Sequence, residues 1–215
     1  MSDKVIIRAS KNGPYVISNL KNIRESAGID VATDSPVVAL CRCGESSTKP
    51  YCDGTHVRID FKDHKEEGHL PRLSEAYVGK KITIHDDRGI CSHAGYCTDG
   101  LPNVFRMTKE PWIDSDAESV ETIIETIRKC PSGALSYSID GIKYDEFSDK
   151  QAITISEDGP YIVQGSIELE VEDQPESKEH YALCRCGHSK NKPYCNGQHW
   201  YVKFKDDGLV KKTKG

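Results

Sequence analysis

The chain has 215 residues, a formal net charge of −5 and an isoelectric point of about 5.9. Acidic and basic residues are mixed along it without a basic stripe, so we expect no nucleic-acid partner. No apolar run approaches the roughly 18 residues of a membrane span, and the N-terminus lacks the apolar core of a signal peptide. We therefore expect no membrane partner and a cytoplasmic protein.

The first unit predicted from the sequence covers residues 1–72 and is rich in short strands. Apolar and β-branched residues alternate there between turn residues, which is typical of strands. The predicted strands are residues 5–8, 15–17, 37–40 and 57–62. The third of them leads directly into the first group of cysteines.

That group combines three thiolates with one imidazole. Its candidate ligands are Cys41, Cys43, Cys52 and His56. Gly44 is a predicted turn residue, which would let the Cys-x-Cys thiolates converge. Cys52 and His56 are four positions apart, which on a helical turn places both side chains on one face. Four such donors are typical of a zinc site or an iron–sulfur cluster.

The middle unit, residues 73–148, reads as strand, loop, helix and strand. The strands are predicted at residues 81–85 and 134–139. Ser115 and Glu118 form a capping-box pattern at the start of the helix. The helix itself is predicted from apolar residues at helical spacing, namely Val120, Ile123, Ile124 and Ile127.

The middle unit holds the second cysteine group, which is Cys91, Cys97 and Cys130. The bacterial ferredoxin pattern is Cys-x2-Cys-x2-Cys with a distant Cys-Pro. Cys91 and Cys97 take the first and third places, Ala94 takes the second, and Cys130 precedes a proline. Buried free thiols are the alternative interpretation, which the Cys-Pro context disfavours.

The third unit, residues 149–215, repeats the first, with Cys184 following Cys41 by 143 residues (184 − 41). Its strands are predicted at residues 153–155, 161–163, 167–171, 181–183 and 200–204. Its candidate ligands are Cys184, Cys186, Cys195 and His199. Two copies at so long a spacing indicate a domain duplication.

Disulfides do not explain the three groups. The nine cysteines are an odd number, and disulfides would leave the repeated histidine without a reason. A zinc ribbon more usually has two to four residues between its paired cysteines, whereas here there is one. Zinc stays open as an alternative, in which the protein is a structural scaffold module.

The outer units resemble the CDGSH-type iron–sulfur domain, the family of mitoNEET, on the pattern that ends in Cys52-Asp-Gly-Thr-His56. The second copy departs from it at Asn196 and Gln198. The resemblance implies a 2Fe–2S cluster in each unit. In it Cys41 and Cys43 hold one iron while Cys52 and His56 hold the other, with Cys184, Cys186, Cys195 and His199 in the same roles. Single-motif members form homodimers, so two copies imply a monomer that contains a pseudo-dimer.

The middle unit resembles a divergent single-cluster ferredoxin, from Leu101 to Phe105 and from Cys130 to Leu135. Three cysteines suit a 3Fe–4S cluster. Alternatively a non-cysteine donor completes a 4Fe–4S cluster, for which His93 is the nearest candidate.

The sequence predicts an α+β protein in which two β-rich CDGSH units flank a ferredoxin-like domain. No catalytic set is visible, since there is no nucleophile elbow, P-loop or dinucleotide fingerprint. We expect an electron carrier whose partners are redox proteins. Storage of clusters, their transfer to apo-proteins, or sensing of redox state or pH are the alternative functions.

Overall fold

The computed structural model describes residues 4–33, 35–147, 150–175, 177 and 179–211. The predicted boundary between the middle and third units, at residues 148 and 149, lies outside these residues. In the described part the strands are β1 (Ile6–Ala9), β2 (Tyr15–Ser18), β3 (Asn22–Arg24), β4 (Asp30–Ala32), β5 (Val37–Leu40), β6 (Ser74–Val78), β7 (Thr83–Asp87), β8 (Leu135–Ile139), β9 (Ile142–Tyr144), β10 (Ala152–Ile155), β11 (Tyr161–Gln164), β12 (Glu168–Glu170) and β13 (His180–Leu183). The helices are α1 (Thr55–Arg58), α2 (Tyr96–Gly100), α3 (Val120–Ile127) and α4 (Gln198–Tyr201), with a 3-10 turn at Arg88–Ile90. The protein is thus strand-rich α+β.

The two outer units exchange strands. One sheet has the order β12-β1-β2-β5 and the other the order β13-β11-β10-β3-β4. Strand β12 of the third unit pairs in parallel with β1, and β3 of the first unit pairs in parallel with β10. Each sheet is therefore completed by a strand of the other copy. Small units bury little hydrophobic core on their own, and here the two units share one core.

The shared core is apolar and continuous across the two copies. At its centre Tyr15 and Tyr161, each buried, meet edge to face with ring centroids 6.1 Å apart. Around them pack buried aliphatic residues of both copies, including Ile7, Ile17, Ile23, Ile153, Ile155 and Val163. This core fixes the strand ends from which both outer cysteine groups begin.

The middle unit forms a third, antiparallel sheet of order β6-β7-β8-β9, which packs against α3. Ile123 and Ile127 of α3 are buried against Ile84 of β7, as the helical spacing predicts. The predicted capping box is wrong, because the helix begins later. The N-cap is Ser119, whose side chain accepts from the Thr122 backbone N–H, whereas Ser115 donates to the Tyr77 carbonyl.

The strands predicted at residues 57–62 and 200–204 are also wrong. Helices α1 and α4 begin directly after the glycine of each motif and extend into these ranges. The apolar alternation does not mark a buried face, because Val57 is 74% exposed and Trp200 64% exposed. The chain is turned into the helix instead, since Asp53 and Asn196 accept hydrogen bonds from backbone N–H groups two residues later.

Candidate metal centres

The first outer group lies where β5 ends and α1 begins. The Sγ atoms of Cys41 and Cys43 are 3.8 Å apart, and Cys52 Sγ lies 3.3 Å from His56 Nδ1. Cys41 and Cys43 are buried, while Cys52 and His56 are half-buried. Gly44, at φ +83°, turns the chain between the thiolates and the next segment, as the sequence predicts.

The second outer group repeats this geometry in a more buried place. The Sγ atoms of Cys184 and Cys186 are 3.9 Å apart, and Cys195 Sγ lies 3.4 Å from His199 Nδ1. Cys195 is 2% exposed and His199 is 6% exposed. The two outer groups therefore differ in access to solvent while sharing the same donor pairs.

These distances fit paired ligands on tetrahedral iron. Two sulfur ligands about 2.3 Å from one tetrahedral ion lie about 3.8 Å apart, and a sulfur and a nitrogen about 3.5 Å apart. Among the described residues, no group of three or more Cys, His, Asp or Glu side chains converges on one metal position. Paired thiolate and imidazole donors at these distances fit metal ligation in each outer group.

In each Cys-x-Cys pair the shared hydrogen bond lowers the pKa of the first thiol and raises the pKa of the second. A hydrogen bond from Cys43 lowers the pKa of Cys41 to about 6, and one from Cys186 does the same for Cys184. Burial lowers the pKa of His199 to about 4, so its ring is neutral at neutral pH. Deprotonated thiolate and neutral imidazole are the forms that bind metal.

The two outer ligand loops pack against each other. A side chain at Gly44 would meet the Cys186 backbone at under 3.0 Å, and one at Gly187 would meet the Cys43 backbone equally closely. Only glycine permits this approach of backbone to backbone. The two outer ligand loops are therefore in direct contact.

Each loop is also held by a tyrosine of the other copy. The Tyr15 hydroxyl lies 3.0 Å from the Cys184 carbonyl oxygen, and the Tyr161 hydroxyl lies 2.9 Å from that of Cys41. Burial raises the pKa of both hydroxyls well above the usual value, so both remain hydrogen-bond donors. The strand exchange thus places a residue of each copy at the ligand loop of the other.

Sequence reasoning missed two buried arginines, which stand between the paired cysteines. Arg185 donates to the carbonyl oxygens of Gly159 (2.8 Å) and Ser156 (2.6 Å) and forms an ion pair with Asp206. Arg42 forms an ion pair with Asp63 at 2.7 Å. Their recurrence at the same place in both motifs was the signal that could have found them.

The middle group surrounds one cavity of about 710 Å³. Cys91, Cys97 and Cys130 all line it, and so do Ala94 and His93. Ala94 therefore lies in the cavity where the ferredoxin pattern has a thiolate. Cys91 follows the 3-10 turn, Cys97 lies on α2 and Cys130 comes just after α3.

A cationic side chain, Arg88, lies beside Cys91 at the middle cavity. The Arg88 guanidinium lies 2.9 Å from Asp86, 3.7 Å from Cys91 Sγ and 3.7 Å from the centre of the Trp112 ring. Burial raises the pKa of Cys91 to about 12 and that of Asp86 to about 6. Arg88 therefore supplies the positive charge that a thiolate at Cys91 needs.

No helix in the described part of the chain is long and apolar enough to cross a membrane.

Comparison with known proteins agrees with this layout. The model of the family described as "Iron-binding zinc finger CDGSH type" matches residues 12–57 and 158–200, and the one described as "Divergent 4Fe-4S mono-cluster" matches residues 77–140. The chain is similar to the uncharacterized protein YjdI of Escherichia coli, both in strain K12 and in O157:H7. Each is 41% identical over 61 residues, which are 28% of this chain and 80% of the relative.

Proposed function

This chain belongs to the CDGSH-type iron-binding family and carries a divergent 4Fe-4S mono-cluster domain between its CDGSH regions, and from this premise we propose that it accepts and passes single electrons. Iron–sulfur clusters supply the redox chemistry when bound, and the protein sets their potential and access. The observation that carries the proposal is the contact between ligand loops, in which Gly44 and Gly187 let the two outer centres approach each other.

For the outer centres we propose one 2Fe–2S cluster each. One iron would be held by the two thiolates of the Cys-x-Cys pair, which are Cys41 and Cys43 in the first copy and Cys184 and Cys186 in the second. The other iron would be held by the cysteine and histidine that follow, through histidine Nδ1, which faces the cysteine in both copies. The strand exchange between the copies supports a monomer that forms a pseudo-dimer within itself.

For the middle centre we propose three cysteine ligands, Cys91, Cys97 and Cys130. The 3Fe–4S form needs no more, whereas the 4Fe–4S form named by the matching family needs a fourth donor, for which His93 lies in the same cavity. The two forms differ in their magnetism. An oxidised 3Fe–4S cluster gives an electron paramagnetic resonance signal, and an oxidised 4Fe–4S cluster of the ferredoxin type gives none.

Cluster transfer is the second candidate function, because Cys52 and His56 are half-buried, unlike their counterparts in the second copy. A mixing assay with an apo-ferredoxin separates the two functions. Reversible oxidation and reduction with no loss of iron to the acceptor supports the carrier. Movement of iron and sulfide to the acceptor within the time of mixing supports the donor, with the first outer centre as its source.

The potentials of the outer centres should lie above those of plant-type ferredoxins. A neutral imidazole replaces one thiolate, which removes a negative charge and favours the reduced state. We expect couples above about −400 mV, toward the Rieske range that begins near −150 mV. Protein-film voltammetry measures them, and outer couples at or below the plant-type value would contradict this.

The first outer couple should lie below the second, because Asp53 stands where the second copy has Asn196. Hydrogen bonds from the backbone and side chain of Ser47 lower the pKa of Asp53, so it is charged at neutral pH, and a nearby carboxylate opposes added negative charge. The two reciprocal substitutions serve as controls for each other. Asp53→Asn should raise the first couple and Asn196→Asp should lower the second, and shifts of the opposite sign would refute the argument.

A further inference from the structure

The cysteine segment of the middle unit contacts the second outer ligand loop. His93 lies over Gly197, where an added side chain would meet its ring at 2.6 Å. The matching glycine of the first copy, Gly54, has nothing within 4 Å of that position. Both glycines have similar backbone angles, φ +78° and +83°, so the contact with His93 is what distinguishes them.

The segment after each ligand histidine shows the same asymmetry. Trp200 and Tyr201 of α4 line the cavity that the three middle cysteines surround. Val57, which corresponds to Trp200, is not among the described residues that line that cavity. The second outer loop therefore forms one wall of the middle site, whereas the first outer loop does not.

A further contact fixes the second loop from its other end. The buried side chain of Asn191, which lies between Cys186 and Cys195, donates a hydrogen bond to the Gly89 carbonyl. Gly89 belongs to the 3-10 turn that ends at Cys91.

On its opposite side the second loop meets the first. Gly187 packs on the Cys43 backbone and Gly44 on the Cys186 backbone, as described above. The second site is thus in contact with both other sites. It is also the most enclosed, since Cys195 and His199 are 2% and 6% exposed while Cys52 and His56 are half-buried.

We propose that the second outer site is an internal relay, which exchanges electrons with the middle site on one side and with the first outer site on the other. This rests on the proposed function and adds the order of the three sites. In each step one electron leaves one site, which is oxidised, and enters its neighbour, which is reduced, with no bond made or broken. The external donor is a one-electron carrier protein, and it meets the chain at the middle or the first site.

The contact itself is tested by a matched pair of substitutions. Gly54→Ala and Gly197→Ala impose the same backbone strain, but only Gly197→Ala also collides with His93. We expect Gly197→Ala to lower the melting temperature more and to alter the visible spectrum of the middle site. In a His93→Gly background, which removes the collision, Gly197→Ala should lower the melting temperature no more than Gly54→Ala does, with both measured against His93→Gly alone. Equal effects of the two alanine substitutions, or no rescue, would overturn the contact.

The order of the sites is tested by pulsed electron paramagnetic resonance of the dithionite-reduced protein. His56→Cys and His199→Cys each shift one outer signal and so assign it. In the otherwise unaltered chain the second outer signal should relax severalfold faster than the first, because the second site has the paramagnetic middle cluster as an additional close neighbour. Cys91→Ala with Cys97→Ala, with loss of the middle cluster verified by iron analysis, should slow relaxation of the second signal and leave the first unchanged.

An equal change in both outer signals, or a change in the first alone, would overturn the relay. The relaxation measurement reports distances between sites and needs no redox partner. A protein that fails to exchange electrons with carrier proteins but shows the expected relaxation would refute the proposed function and leave the order of sites intact.

Discussion

Replacing His56 and His199 together by cysteine should make the outer clusters resistant to mild acid and lower both outer potentials. Protons compete with iron for an imidazole, whereas each added thiolate contributes a negative charge and a ligand that is harder to release. We expect bleaching of the visible absorbance to begin at lower pH and to proceed at least tenfold more slowly. Absorbance recorded at steps of pH from 8 to 4 measures this.

The sign of the pH dependence follows from burial. The pKa of His199 in the folded chain, about 4, is below the ordinary value of 6.5, so the unfolded chain takes up the proton first. The contribution of His199 to the free energy of unfolding is therefore complete above pH 6.5 and falls as the pH is lowered toward 4. A free energy of unfolding that rises as the pH is lowered from 6.5 to 4 would contradict the lowered pKa of His199.

His188→Ala is the control for the second copy, because His188 follows Cys186 by two residues and competes for the role of ligand. It should leave the second cluster in place, whereas His199→Ala should remove it. The two outer clusters can also be compared within the unaltered protein. His56 is the more exposed ligand, so the first cluster should bleach before the second in the unaltered protein.

Replacing Arg185 by methionine should destabilise the protein far more than the same change at Arg42. Arg185→Met leaves Asp206, whose side chain is 7% exposed, as a buried charge without its partner, and removes the bonds to two carbonyl oxygens. Loss of one member of a buried pair costs about 3–5 kcal/mol.

Arg42→Met should cost less because Asp63 keeps a second cation, Lys11, at 3.2 Å. The urea midpoints of the two variants, read from far-ultraviolet circular dichroism together with visible absorbance, measure the difference. We expect Arg185→Met to lose its second cluster at urea concentrations where Arg42→Met retains both outer clusters. Equal midpoints would show that Arg185 does not hold the second ligand loop as described.

The sequence predicted what repeats in it. The duplicated motif places Cys41 and Cys184 directly after the short apolar runs that form β5 and β13, and the middle helix follows from the spacing of its isoleucines. It did not predict strands β3 and β4, which are three residues each. Strand β3 pairs with β10 of the other copy, and β4 pairs with β3. The exchange of strands depends on pairing between residues more than 100 positions apart, which no local pattern encodes.

Local alternation also misled the prediction after each ligand histidine. Val57, Ile59 and Phe61 alternate like a strand, yet the Asp53 side chain and a glycine with positive φ start a helical turn there. The contact of His93 with Gly197 also cannot be predicted from the sequence. Both motifs have a glycine at this position, and only the tertiary structure places His93 against the second of them.

The central claim, that this chain holds three iron–sulfur clusters, is tested most directly by metal and acid-labile sulfide analysis of protein purified without oxygen. The account predicts about seven iron atoms per chain with a 3Fe–4S middle cluster or about eight with a 4Fe–4S cluster, and about eight acid-labile sulfides in either case. Stoichiometric zinc without sulfide would contradict it.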